Sequence, residues 1–121
     1  MSTLACDYSE AMQRVGGDFA LLSQVLVIFL DEMPKMTAAI RKYAEEENSR
    51  LLRNESHKMK GSAGHFGGAE LVHILEQIED FAKKDDFSAA IGLLGSLAQA
   101  VERFKACVFQ WQNTPGNTVI V

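Results

Sequence analysis

Apolar residues recur three and four positions apart along most of this chain. That spacing places side chains on one face of an α-helix, whereas strict alternation would indicate a strand. Alternating segments are nearly absent, and only Pro34 and Pro115 interrupt the helical period. The pattern predicts an all-α protein.

Glycine pairs and polar runs divide the pattern into one short and four long helices. Asp7 and Asp18 are expected to cap the first two helices, and either Asn48 or Ser49 the third. Pro34 predicts a kink in the second helix, or two abutting helices. The expected helices cover 8–15, 19–46, Asn48 or Ser49 to the Gly67-Gly68 pair, a fourth ending before Lys83-Lys84-Asp85-Asp86, and 87–111.

Four long helices with short connections predict an antiparallel up-down-up-down four-helix bundle, with the short N-terminal helix covering one end. We expect one domain over 1–112, and a disordered tail over 113–121. The third helix should bury Leu52, Ser56, Met59, Ala63 and Phe66. The last should bury Ile91, Leu94, Ala98, Val101 and Val108.

Charge and composition narrow the function classes. The net charge of −4 argues against nucleic acid as a partner, since such partners favour basic surfaces. The longest apolar stretch, 19–30, is too short for a bilayer crossing, which takes about 20 residues, so no membrane insertion is expected. We see no signal peptide. Two cysteines make no disulfide framework: Cys107 is expected to be a small buried hydrophobe and Cys6 to lie in a flexible end, which favours a reducing cytoplasm.

The third helix carries a second face that stability alone does not explain. His57, Lys60, Gly61 and Gly64 share it. Each helical glycine costs about 1 kcal/mol relative to alanine. Two glycines beside an imidazole indicate that another molecule approaches the backbone there.

The run His57-Lys58-Met59-Lys60-Gly61-Ser62-Ala63, with Gly67 and Leu71 further on, resembles the signature of histidine-containing phosphotransfer (HPt) domains. The resemblance implies that His57 is transiently phosphorylated. It would take the phosphoryl group from a receiver-domain phospho-aspartate or a sensor kinase, and pass it to a response-regulator aspartate. Lys60 would offset the added charge, and Gly61 and Gly64 would admit the partner. The implied partners are receiver domains and a hybrid sensor histidine kinase.

A neutral imidazole suits this task because its free ring nitrogen is nucleophilic near pH 7. Arg50, Arg53 and Lys58 make the surroundings of His57 basic, which would steer an acidic receiver site towards it. Nothing in the chain resembles a general base or an ATP site. We therefore expect a phosphocarrier that is not an enzyme and holds no cofactor, with Mg²⁺ in the partner receiver only.

Partner docking should use apolar residues near His57. Tyr8, Met12 and Val15 are candidates, together with part of the 19–30 segment. The first helix could equally be plain core cover. We expect a monomer, because the bundle can bury its own apolar stripes.

Three alternatives remain open from the sequence. The chain could be a fragment of a kinase-fused phosphotransfer protein, phosphorylated directly by an ATP-binding domain. It could be a bundle that binds receivers without phosphotransfer. A metal site is the third, since Glu70 and His73 have the Glu-x-x-His form of di-iron bundles, but only one copy occurs. His57 and His65 lie about 12 Å apart along one helix and cannot share a metal.

Overall fold

The computed structural model describes residues 4–113, with side chains to residue 111, and this part of the chain is helical without strands. The all-α prediction is confirmed. The helices are α1 (Tyr8–Arg14), α2 (Phe19–Glu45), α3 (Ser49–His65), α4 (Ala69–Lys83), α5 (Phe87–Gly92) and α6 (Leu94–Phe109), followed by a 3₁₀ turn at Gln110–Asn113. The expected tail after residue 113 falls outside the described residues. No helix in the described range is long and apolar enough to span a membrane.

Side-chain caps begin the helices where the sequence places them. Asp7, Asp18 and Asn48 each accept a hydrogen bond from the backbone N–H three residues on, at 3.1 Å. Asn48 is therefore the cap of α3, and Ser49 instead donates to the Ala82 carbonyl at 2.8 Å. That bond joins the start of α3 to the end of α4, as an antiparallel pair requires.

Helix α2 passes through Pro34 as one element. Proline has no N–H to donate within the helix. Three residues later, the Thr37 hydroxyl donates to the carbonyls of Met33 and Pro34, at 3.0 Å each. The buried face runs on across the proline, since Met33 and Met36 both lie in the core. Of the two arrangements expected here, the structure has the single helix.

The core forms where the inner stripes of α2, α3, α4 and α6 meet. All five residues expected to face inward from α3 are buried. Phe29, Phe66 and Phe104 form an aromatic cluster, with ring centroids 5.4 to 6.1 Å apart. Phe104 is fully buried and meets both other rings. This cluster ties α2, α6 and the end of α3 together.

The last helix of the bundle differs from the prediction of one helix over 87–111. In the structure it is broken at Leu93, which caps both α5 and α6. Ile91 and Ala98 are exposed, so their predicted burial was wrong. Leu94, Val101 and Val108 are buried as predicted. The other buried residues of α5 and α6 are Ala90, Leu97, Ala100 and Phe104. Phe104 contacts the rings of Phe29 and Phe66, and Leu97 shares its face of α6 at helical spacing, whereas Ala98 lies one position off that face.

The two cysteines also differ from the expectation. Cys6 and Cys107 form a disulfide between the segment before α1 and the last turns of α6, with Cα atoms 6.0 Å apart. The expectations of a flexible end at Cys6 and a lone buried thiol at Cys107 were wrong. The two cysteines are 101 residues apart in sequence, so no local pattern indicates their contact. Cysteine usage therefore no longer supports a reducing compartment.

The N-terminal segment crosses the turn between α3 and α4. Asp7 N–H donates to the Phe66 carbonyl at 3.0 Å, and Glu70 N–H donates to the Leu4 carbonyl at 2.9 Å. The turn itself is a Schellman motif, with bonds from Gly68 to Ala63 and from Gly67 to Gly64. Gly67 has a φ of +64°, and a Cβ there would overlap Asp7 and lie 2.9 Å from its backbone nitrogen. The close crossing therefore depends on glycine at position 67.

A pair of glycine substitutions tests that crossing. Gly16 ends α1 with a nearly identical φ of +65°, but a Cβ there would meet nothing within 4 Å. Gly16→Ala should lower the free energy of unfolding by about 1–2 kcal/mol, the cost of a left-handed alanine. Gly67→Ala should cost at least about 1 kcal/mol more, since Asp7 must also move. Urea titrations of both variants would measure the difference, and equal losses would contradict the close crossing.

Candidate functional site

His57 lies on the outer face of α3, opposite the stripe that packs into the core. Ser56 and Met59, on either side of it in sequence, are fully buried. Because successive helix positions turn by about 100°, this burial directs His57 outward. Its side chain is 69% exposed. The imidazole is thus held by a rigid helix and remains open to another molecule.

A buried carboxylate from the next helix lies behind the imidazole. Glu79 of α4 has a side chain only 8% exposed. Its Oε2 lies 3.1 Å from His57 Nδ1, and its Oε1 accepts from Lys60 Nζ at 2.8 Å. Lys83 Nζ lies 4.0 Å from Oε2. Glu79 therefore joins the two functional candidates of α3 to α4.

The contact with Glu79 determines which nitrogen of His57 is available. An ionised carboxylate only accepts hydrogen bonds, so we assign the proton of the neutral imidazole to Nδ1. Nε2 then carries the lone pair. A ring nitrogen with a lone pair on an exposed side chain is a nucleophile that a partner can reach.

The charges of this cluster support one another. Burial by itself would raise the pKa of Glu79, but the hydrogen bond and charge of Lys60, with a smaller effect of His57, hold that pKa below its usual value. The hydrogen bond from Lys60 to Glu79 raises the pKa of Lys60, with burial opposing it. Both groups are therefore ionised at neutral pH, and Glu79 stays an acceptor for the imidazole.

The two glycines beside His57 border open space. A Cβ on Gly61 would meet nothing within 4 Å, and one on Gly64 would meet only a methyl group of Val72, at 3.9 Å. Neither glycine is therefore required by packing within the chain. Their helical conformation also needs no special φ. Something outside the described fold has to account for them.

The structure brings together the four residues singled out in the sequence, but it places Lys60 differently from a free cation beside the ring. Its ammonium is engaged by Glu79, and its side chain is 22% exposed. Glu79 was not predicted from the sequence as a residue of the site. A signal existed, since Glu79 lies four residues after Leu75 and eight after Leu71, on the apolar stripe of α4. A glutamate in that register should be buried and paired.

An apolar groove lies between α2 and α3, next to this face. It encloses about 530 Å³ and is lined by residues including Val25, Ile28, Lys58 and His65. Of its apolar lining, Ile28 is 62% exposed and Val25 is 37% exposed. Arg14 and Val15 at the end of α1 line the same groove.

The docking candidates of the first helix are only partly accessible. Tyr8, Met12 and Val15 are half-buried against the core. The Tyr8 ring lies against those of Phe19 and Trp111, with centroids 6.4 and 5.4 Å away. Both earlier interpretations of α1 thus have a structural basis: it covers the core and also borders the groove.

The residues considered for a metal are engaged or dispersed. Glu70 pairs with Arg103 across α4 and α6, at 2.8 Å. His65 and His73 are exposed. Within residues 4–113, no three histidine, cysteine, aspartate or glutamate side chains come close enough together to hold a metal ion.

Comparison with known proteins gives a family and a fold. A family model described as the Hpt domain matches residues 24–107. Among solved structures, the chain is similar to an HPT domain from an Hpt sensor hybrid histidine kinase of Shewanella, with a TM-score of 0.76 and 14% sequence identity. The alignment covers 93% of this chain and 97% of that one. A search of curated proteins found no match.

The buried carboxylate generates a prediction about pH. Because the pKa of Glu79 is lower in the folded chain than in the unfolded one, its stabilisation is complete above the unfolded value, about 4.3. It is lost as the pH falls through the folded value. Glu79→Gln should therefore destabilise the chain by about 1–3 kcal/mol at pH 7, and by less near pH 3.

Denaturant titrations at both pH values would measure this change, with Glu76→Gln as the matched control. Glu76 is an exposed glutamate one turn earlier on α4. Its replacement should alter stability little at either pH. A loss for Glu79→Gln that is the same at pH 7 and pH 3 would contradict the assigned charge.

Proposed function

The chain belongs to the Hpt domain family, a family of phosphotransfer domains in two-component systems, and on that basis we propose that it carries a phosphoryl group on His57. The proposal rests above all on one observation. His57 is exposed at 69%, while its Nδ1 contacts a buried carboxylate that leaves Nε2 available. The chain would act as a phosphocarrier between proteins, without catalytic machinery of its own.

In the proposed step, the lone pair of His57 Nε2 attacks the phosphorus of a receiver's phospho-aspartate. The Nε2–P bond forms as the acyl P–O bond breaks, and the aspartate leaves as a carboxylate. The reverse step, on another receiver, returns the imidazole to its starting state. Atoms and charge balance without a proton leaving the ring, because Nδ1 keeps its hydrogen throughout.

Glu79 and Lys60 would support this step from behind the ring. Forming the Nε2–P bond makes the imidazole cationic, and the Glu79 carboxylate 3.1 Å from Nδ1 stabilises that charge. The Lys60 ammonium, 2.8 Å from the same carboxylate, keeps Glu79 ionised and offsets the charge that the phosphoryl group brings. We propose that Lys60 acts largely through Glu79.

The partner would dock over the glycine face. Gly61 and Gly64 leave the backbone beside His57 uncovered, so a receiver's loops could reach the ring. The exposed side chains of Arg50, Arg53 and Lys58 would attract an acidic receiver site. The groove with Val25 and Ile28 would extend the contact with apolar surface.

We also propose a location for the metal, an oligomeric state, a compartment and a second source of phosphate. The Mg²⁺ needed for transfer would belong to the partner receiver, and the chain would work as a monomer. A sensor kinase takes its phosphoryl group from ATP, so we place the relay in the cytoplasm. The similar Shewanella domain comes from a hybrid histidine kinase, which favours a second source of phosphate: a kinase domain in the same longer protein.

Phosphotransfer to single-histidine variants tests the function. A phosphorylated receiver, or a sensor kinase with ATP, should label the wild-type chain with acid-labile, alkali-stable phosphate. His57→Gln should abolish the label, because the nucleophile is gone. His65→Gln and His73→Gln, which also remove one imidazole each from exposed positions, should be labelled like the wild type.

Label that persists on His57→Gln would show that a residue other than His57 carries the phosphoryl group. A wild-type chain that binds receivers, as measured by calorimetry, yet accepts no label from any of them would support the alternative of a non-catalytic receiver-binding bundle.

The open space beside His57 gives a second prediction. Gly61→Gln should stabilise α3, by up to about 1 kcal/mol, because it replaces a helical glycine and meets no neighbour. The same substitution should slow transfer from the receiver by about tenfold or more, since the added side chain occupies the docking gap.

Gly95→Gln is the matched control for this experiment. Gly95 is also a helical glycine with nothing within 4 Å of an added Cβ, but it lies on α6. Its replacement should leave the transfer rate unchanged. Gly61→Gln with an unchanged transfer rate would show that the gap is not part of the docking surface.

A further inference from the structure

We infer that Cys6 and Cys107 form a reversible thiol–disulfide site, which takes a dithiol or disulfide as its reaction partner and controls how firmly α1 borders the docking groove. The inference about docking rests on the proposed function. The inference about the redox site rests on where the two sulfurs lie in the fold.

The disulfide attaches the N-terminal segment to the bundle. It joins the segment before α1 to α6, with Cys6 buried in the core and Cys107 packed against it, whereas most other core residues belong to α2, α3, α4 and α6. Opening it would therefore leave the bundle assembled. The part released would be the N-terminal segment and the short helix after it.

Besides the disulfide, α1 is held by packing on the core and by the segment before it. Ala11 is its one buried residue, and Tyr8, Met12 and Val15 are half-buried against the core. The segment before it makes backbone hydrogen bonds at Leu4 and Asp7, and the Tyr8 ring packs on Phe19 and Trp111. A seven-residue helix is not stable by itself in water, so its order depends on these attachments. Loss of the disulfide should therefore have a local effect on α1.

The two cysteine residues differ in exposure. Cys6 is 8% exposed, whereas Cys107 is half-buried near the end of α6. A thiolate from a dithiol reductant can therefore attack Cys107 Sγ more readily. The new S–S bond forms as the Cys6–Cys107 bond breaks, and Cys6 leaves as a thiolate. The reductant's second thiol then displaces Cys107, so the pair gains two electrons and two protons and the dithiol becomes a disulfide.

The position of α1 connects this chemistry to docking. Arg14 and Val15, at the end of α1, line the groove that also contains Ile28 and Lys58. When the disulfide is closed, this wall of the groove is fixed. When it is open, a receiver has to order α1 on binding, which weakens docking. In a reducing cytoplasm the open form would be the resting state, and oxidation would tighten the contact with the receiver.

Thiol exchange and hydrogen exchange test the site without phosphotransfer. The native chain would be equilibrated with mixtures of reduced and oxidised dithiothreitol, quenched in acid, and its thiols counted by maleimide labelling and mass spectrometry. We expect reversible opening without unfolding. Amide protection over α1 should fall by about tenfold or more in the open form, with α4 unchanged. The variant Cys6→Ser/Cys107→Ser should match the open form and should not respond to dithiothreitol.

Receiver-to-His57 transfer would then be measured on the oxidised chain, the reduced chain and the double variant. We expect a receiver KM raised by about fivefold or more in the open forms, with the hydrolysis rate of phospho-His57 unchanged. A pair that reduces only in denaturant would overturn the inference. So would equal α1 protection, or equal transfer, in the two states. If no form accepts label, the proposed function and the docking part fail together, while the exchange data still decide the redox site.

Discussion

A carboxylate that is 8% exposed is stable in a protein interior only when cations and donors meet it, and Glu79 is met by Lys60 and His57. The pairing fixes both side chains of α3 against α4 and gives the imidazole one tautomer. The contact of Glu79 with Lys60 and His57 therefore serves both the packing of α3 against α4 and the chemistry of the site. Removing the carboxylate would leave the ring and the Lys60 ammonium free to turn towards solvent, so the site depends on a buried residue of the neighbouring helix.

Much of the fold follows from local pattern. The inner stripe of α3 and the caps Asp7 and Asp18 lie where period and composition place them, because each depends on residues within one turn. The register of α6 does not follow, since Leu97 and Ala98 are both apolar and either could face the core. Contact of Phe104 with Phe29 and Phe66 decides between them, and that contact joins three helices.

The residues of the site, like those of the fold, were only partly predictable from the sequence. His57, Lys60, Gly61 and Gly64 are recognisable in the sequence because they lie within three turns of one helix. The two long-range partners were not found: Glu79 lies 22 residues from His57, and Cys107 lies 101 residues from Cys6. For Glu79 the helical register carried a usable signal, a charged residue on an apolar stripe. For the cysteines, no pattern within the chain reports their distance in space.

The face around His57 has a kinetic consequence for the proposed relay. The two glycines make one opening, and the helix behind it presents one ring nitrogen. In that relay, donor and acceptor would occupy the same place at different times, so no ternary complex would form. Transfer would follow a double-displacement scheme, in which each partner inhibits the other by occupancy. Net flow would then be set by the relative amounts of the phosphorylated and unphosphorylated receivers, and not by any asymmetry in the carrier.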